Sequence, residues 1–79
     1  MSKTLVIGAG GQIGTELVLA LRQKKGSHAV VAADIKEHPS ETLADGPYIQ
    51  MDVLDRTLVR NYIIENEITE VYLLAALLS

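Results

Sequence analysis

Glycine stands at positions 8, 10, 11 and 14 of the run "LVIGAGGQIGTEL", Leu5 to Leu17, and an acid, Asp34, follows twenty residues after the last of them. These types at this spacing can do one kind of chemistry well. A glycine at a strand exit permits φ > 0 in the turn, one at a helix start lets a bulky anion reach the backbone, and one in the first helical turn allows close helix-to-strand packing. Helix N-terminal N–H groups and the helix dipole then hold a diphosphate. A carboxylate about twenty residues on is placed to accept hydrogen bonds from a ribose diol. The strict G-x-G-x-x-G spacing fails from Gly8, because its last position falls on Ile13. What fits is G-x-x-G-x-x-G over Gly8, Gly11 and Gly14, with Gly10 as an additional glycine inside it. Two plainer readings stay open: a tight turn with no ligand, and Asp34 as a turn former.

The elements that must position these residues follow from periodicity. Thr4 to Ile7 is a short β-branched-rich run ending abruptly in glycine, which predicts a buried strand entering a tight turn. Gln12 to Lys25 reads as a helix, with Ile13, Leu17, Ala20 and Leu21 on its apolar face and Thr15, Glu16, Arg22 and Gln23 opposite. Lys24, Lys25 and Gly26 form its stop signal. Ala29 to Ala33 predicts a second buried strand, closed by Asp34. Lys36 to Pro47 holds both prolines and reads as a loop with one helical turn around Glu41 to Ala44. Tyr48 to Met51 is a third strand; Asp55 caps a helix running to about Asn66, with Leu58, Val59, Tyr62 and Ile63 on one face; Glu70 to Ser79 begins as a fourth strand. This alternation predicts an α/β fold: a Rossmann-like parallel sheet of order 3-2-1-4 with flanking helices, the N-terminal half of a doubly wound domain.

Composition limits the alternatives. Seventy-nine residues suffice for one domain with a thin core, since a chain this short buries only about 60% of its unfolded surface. Hydrophobic residues make up 48%, without Phe or Trp, so Val, Leu, Ile and Ala build the interior. A net charge of −3 offers no electrostatic footprint for nucleic acid or an anionic membrane surface. The absence of Cys rules out a disulfide framework and fits a reducing cytoplasm. The apolar stretch near the N-terminus is too short to span a bilayer and lacks a small-residue cleavage signature, so a soluble, unexported, cytoplasmic protein is expected.

Together "GAGGQIGTEL", "AADI", "MDVLD" and "LLAALLS" resemble the extended short-chain dehydrogenase/reductase superfamily, the NAD-dependent epimerase/dehydratase group. Within it, "GQIGTEL" and "AALLS" resemble the short-chain-type threonine dehydrogenases. The resemblance implies that residues 1–79 are the N-terminal portion of an NAD-binding domain. Gly8, Gly11, Gln12, Ile13 and Gly14 would line the pyrophosphate, and Asp34, Ile35 and Lys36 the adenosine ribose. Asp52 and Val53 would meet the adenine edge, and Leu74, Ala75 and Ala76 would run beneath the nicotinamide, with Ser79 near the substrate. For Asp52 the plainer alternative is a loop carboxylate assisting the cap made by Asp55. A carboxylate at position 34 favours NAD over NADP because it repels a 2′-phosphate, a preference that Lys36 could soften but not reverse.

The superfamily's proton chemistry uses a Tyr with a Lys four residues later. Four residues after Tyr48, Tyr62 and Tyr72 come Asp52, Asn66 and Ala76. The tyrosines therefore read as packing residues, His28 and His38 as solvated loop side chains, and neither a catalytic residue nor a metal site is assigned in this chain. The leading expectation is the cofactor-binding part of an oxidoreductase that moves hydride between NAD and a small hydroxyl substrate such as L-threonine. A nucleotide-sugar epimerase or dehydratase and a stand-alone dinucleotide-binding module are the alternatives. Self-association through the last strand, as a homo-oligomer, is a further expectation.

Overall fold

The computed structural model describes residues 2–74. Strands β1 (Thr4–Ile7), β2 (Val30–Asp34), β3 (Tyr48–Gln50) and β4 (Glu70–Leu73) form one parallel sheet in the order β3-β2-β1-β4. Helices α1 (Gln12–Lys25) and α2 (Arg56–Glu65) carry the crossovers between β1 and β2 and between β3 and β4. The expected sheet order and helix placement are therefore present. Successive strand residues point to opposite faces, and this splits the core in two. Val6, Val30 and Ala32 join Ala9, Val18 and Leu43 under α1. Leu5, Ile7, Val31, Ala33 and Met51 lie on the other face, packed by Val59, Tyr62, Ile63 and Ile68. Contiguous apolar runs in β1 and β2 are the signature of strands covered on both faces. β4 is exposed along its length.

Three expectations about the elements need correction. The buried stripe of α1 is Gly14, Val18 and Arg22, with Leu17 and Leu21 beside it; Ile13 is 73% exposed and Ala20 is also on the surface. The stripe is rotated because Gly14 must sit against the turn after β1, which sends Ile13 outward. Arg22, expected on the solvent face, is instead buried. Its guanidinium donates to the carbonyls of Val30 at 3.2 Å, Leu43 at 2.8 Å and Pro47 at 2.6 Å, and pairs with Asp45 at 2.8 Å. A buried guanidinium is tolerable only with its donors satisfied in this way. On α2, Leu58 is exposed rather than inward-facing.

Boundaries shift by one or two residues elsewhere. β2 begins at Val30 because Ser27–Ala29 forms a 3-10 turn, and the helical turn of the β2–β3 connection falls at Leu43–Asp45. β3 ends at Gln50, although the Met51 N–H still donates to Asp34. Asp55 caps α2 as expected, its carboxylate accepting from the Leu58 N–H at 3.1 Å. At the amino end of the sheet, Lys25 and Thr4 donate to the Glu70 carboxylate and hold it below the usual carboxylate range. Among the described residues, no helix is long and apolar enough to cross a membrane.

Arg22→Ala removes four hydrogen-bond donations and a buried stem, and should destabilise the chain by about 2–4 kcal/mol. Asp45→Ala, at a carboxylate that is mostly exposed, should cost less than about 1 kcal/mol. Urea unfolding of the two variants measures the contrast.

Candidate functional site

Parallel register brings the carboxyl ends of β1, β2 and β3 to one level, with Ile7 beside Ala33 and Asp34 beside Gln50. The chain leaves β1 through Gly8, whose φ of 90° lies in the left-handed region that glycine adopts without strain. The N–H groups of Gly8 and Ala9 both donate to the Ala33 carbonyl, at 2.8 and 3.0 Å, which folds the turn back over the end of β2. Helix α1 then starts at once. A Cβ on Gly14 would lie 2.6 Å from the Gly8 carbonyl oxygen and 2.8 Å from the Ala9 Cα, so only glycine permits this approach. Thr15 ties the same corner, its hydroxyl donating to the Ala9 carbonyl at 2.9 Å.

Gly11 occupies the N-cap of α1 with φ −76°, and no side chain caps the helix. A Cβ there would meet only the Gly8 oxygen, at 4.0 Å. The first-turn N–H groups thus have no side-chain cap, the condition for anion binding at a helix N-terminus. Above the strand ends lies a cleft of about 230 Å³ lined by Gly8, Gly11, Asp34, Ile35, Asp52 and Val53, floored by Ile7 and Met51. Both carboxylates in it are otherwise engaged with the backbone. Asp34 accepts from the Gly10 N–H and, at 2.6 Å, from the Ile35 N–H. Asp52 accepts from the Leu54 N–H at 2.9 Å and its carbonyl accepts from the Asp55 N–H, an Asx turn leading into the cap of α2. The plainer reading of Asp52 therefore holds, and the residue lines the cleft as well.

Six of the candidate cofactor residues, Gly8, Gly11, Asp34, Ile35, Asp52 and Val53, are thus brought together. Gln12 and Ile13 are exposed on the first turn of α1, outside the cleft wall. Gly14 is buried behind the turn, so it shapes the site by packing and does not line it. Lys36 is exposed beyond the cleft. Leu74 lies one strand away, its N–H on the Ile7 carbonyl at 2.9 Å and its side chain against the Val6 and Ala9 cluster. Ala75, Ala76 and Ser79 lie outside the described residues.

The segment after Asp34 is held from β3. The Tyr48 hydroxyl donates to the Lys36 carbonyl at 2.6 Å, and the Gln50 amide donates to the Ile35 carbonyl at 3.1 Å. Sequence reasoning gave neither residue this role; alternation along β3, which points 48 and 50 to one side, was the available signal. Burial pushes the Tyr48 phenol up, and the Asp34 charge adds to it; burial alone raises Tyr62. Both shifts run against general-base work near neutral pH. His38 is solvent-exposed, 3.8 Å from the Glu37 carboxylate. Among the described residues no three His, Asp or Glu side chains cluster as metal ligands.

A contrast between two glycines follows. Gly14→Val should destabilise the fold by about 1–3 kcal/mol through overpacking against backbone. Gly11→Val should leave thermal stability near that of the unaltered chain. Parallel melts followed by circular dichroism check both.

Comparison with known proteins places this geometry. The NAD dependent epimerase/dehydratase family model matches residues 4–79. A human protein named inactive mitochondrial L-threonine 3-dehydrogenase is 36% identical over 77 residues, covering 98% of this chain and 34% of its own. An uncharacterised epimerase/dehydratase of Staphylococcus aureus strain USA300 is 39% identical over 80 residues, or 100% of this chain and 25% of that protein. Among solved structures, the holo form of a GalE-like L-threonine dehydrogenase from Cupriavidus necator superposes with a TM-score of 0.83 at 33% identity, over 91% of this chain and 23% of that one. The chain therefore spans about a quarter to a third of the length of these relatives. With a family match over nearly its whole length and the glycine turn and strand-end cleft in place, the chain belongs to the NAD dependent epimerase/dehydratase family.

Proposed function

We propose that residues 1–79 form the adenosine and diphosphate cradle of an oxidoreductase that transfers hydride between NAD and a small hydroxyl substrate, L-threonine first among them. The cleft carries this reading: it joins an uncapped helix start at Gly11 to a carboxylate at Asp34 across the ends of adjacent strands. The residues fit the cofactor. Gly11 leaves room for a diphosphate at the α1 N-terminus, with Gln12 and Ile13 at its outer edge. Asp34 presents acceptors for the ribose diol, while the exposed Ile35 and the half-buried Val53 offer an apolar wall, and Asp52 a polar edge, to the adenine. Leu74, Ala75 and Ala76 would continue toward the nicotinamide.

Bound NAD would supply the hydride acceptor for a carbinol carbon. This chain's own part is to bind and orient. With no Lys four residues after any Tyr, it holds no proton-transferring pair of the superfamily type, and alone it would be catalytically inert. Threonine as substrate is supported by the name of the Cupriavidus relative. The name of the Staphylococcus relative favours a second reading, an epimerase or dehydratase built over the same cradle, for which a nucleotide sugar would be the substrate. We place the protein in the cytoplasm, in keeping with a chain that contains no Cys, and as a homo-oligomer; the exposed β4 edge is open to a further strand, whether from its own domain or from another copy.

Calorimetric titration of the full chain tests the cradle. NAD should bind more tightly than NADP, and Gly11→Val should abolish NAD binding while the fold persists. Asp34→Ala should narrow the gap between the two cofactors by on the order of tenfold, the scale of a lost hydrogen bond to a charged group. An unchanged gap would mean that another residue reads the ribose.

A further inference from the structure

We infer that Gly10 is a positioning residue that sets the choice between NAD and NADP by holding the Asp34 carboxylate in place. The inference rests on the proposed dinucleotide cradle and adds a residue that the glycine spacing leaves without a role. Gly10 is not required by backbone conformation, since among the described glycines only Gly8 and Gly26 have positive φ. Nor does it pack against the helix, as Gly14 does. The three atoms nearest to a Cβ at position 10 all belong to the Asp34 carboxyl group, which fills that space. What the missing side chain admits is therefore the acid itself.

The hydrogen bonds show how it is held. One carboxylate oxygen accepts from the Gly10 N–H and the other from the Ile35 N–H. A carboxylate oxygen has lone pairs to spare, so both can still accept from a ribose diol. A carboxylate held at both oxygens cannot swing aside when a 2′-phosphate approaches, and its charge opposes that phosphate at short range. Released from Gly10, it could rotate toward solvent and no longer oppose a 2′-phosphate at short range. Discrimination then comes from a fixed charge, which Gly10 fixes.

The test is a double-mutant cycle on the full chain, read as the ratio of NADP to NAD dissociation constants. Gly10→Ala should lower that ratio about tenfold, the scale of one charge-assisted hydrogen bond. In the Asp34→Ala background the same substitution should leave the ratio unchanged. A ratio that Gly10→Ala does not move, in a variant whose circular dichroism matches the unaltered chain, overturns the inference and leaves the cradle standing. A drop of equal size in both backgrounds also overturns it, because Gly10 would then act on the loop alone. No NAD binding by the unaltered chain overturns the cradle and this inference with it. Should Gly10→Ala fail to fold, the amide resonance of Gly10 in the ligand-free chain decides: it should move upfield in Asp34→Asn, and an unmoved resonance refutes the contact.

Discussion

A side chain is missing where α1 meets the turn after β1, and the rest of the arrangement follows from the closeness this allows. The Gly8 carbonyl and the Ala9 Cα occupy the volume that a Cβ on Gly14 would need. That contact fixes how α1 is rotated about its axis, which sends Val18 into the core and Ile13 into solvent. Two turns beyond Gly14 the same stripe ends in Arg22, whose guanidinium gathers the carbonyls of Val30, Leu43 and Pro47. The β2–β3 connection is thereby held, and the Pro47 carbonyl also accepts from the Ala32 N–H as β3 comes alongside β2. From β3, Tyr48 and Gln50 reach the carbonyls of Lys36 and Ile35. A run of contacts thus connects one missing methyl in α1 to the segment beside Asp34, on the far side of the cleft.

The parts of this arrangement legible in the sequence are those that depend on local pattern. Central strands covered on both faces appear as unbroken apolar runs, and "TLVI" and "VVAAD" do so. Asp55 caps α2 through a contact three residues long. The rotation of α1 is different, because the helix has two overlapping apolar sets and only the Gly14 contact chooses between them. Counting Ile13 as inward follows hydrophobicity; counting from Gly14 finds Val18 and then Arg22. Burial of an arginine depends on carbonyls 8 to 25 residues away in sequence, which no local window contains.

The site divides in the same manner. Gly8, Gly11 and Asp34 were readable because the chemistry of a diphosphate and a ribose demands those types at that spacing, and Ile35, Asp52 and Val53 entered through family resemblance. All six line one cleft. Gly14 packs α1 against the turn as its spacing implies, but it is buried and does not line the cleft where the resemblance puts it, whereas Lys36 is displaced from the cleft. Gly10 had no motif position, and its significance is visible only with the Asp34 carboxylate in place. Family membership accounts for the glycine turn without choosing the substrate, since this chain covers only about a quarter to a third of its relatives' length.

The central claim is that the open N-terminus of α1 and the carboxylate after β2 hold the diphosphate and the neighbouring ribose of one bound molecule. A crystal structure of the full chain grown with saturating NAD tests this most directly. The account predicts the diphosphate against the Gly8–Gly11 turn and the adenosine ribose hydroxyls on Asp34. NAD density elsewhere, or a side chain closing the space over Gly11, would contradict it.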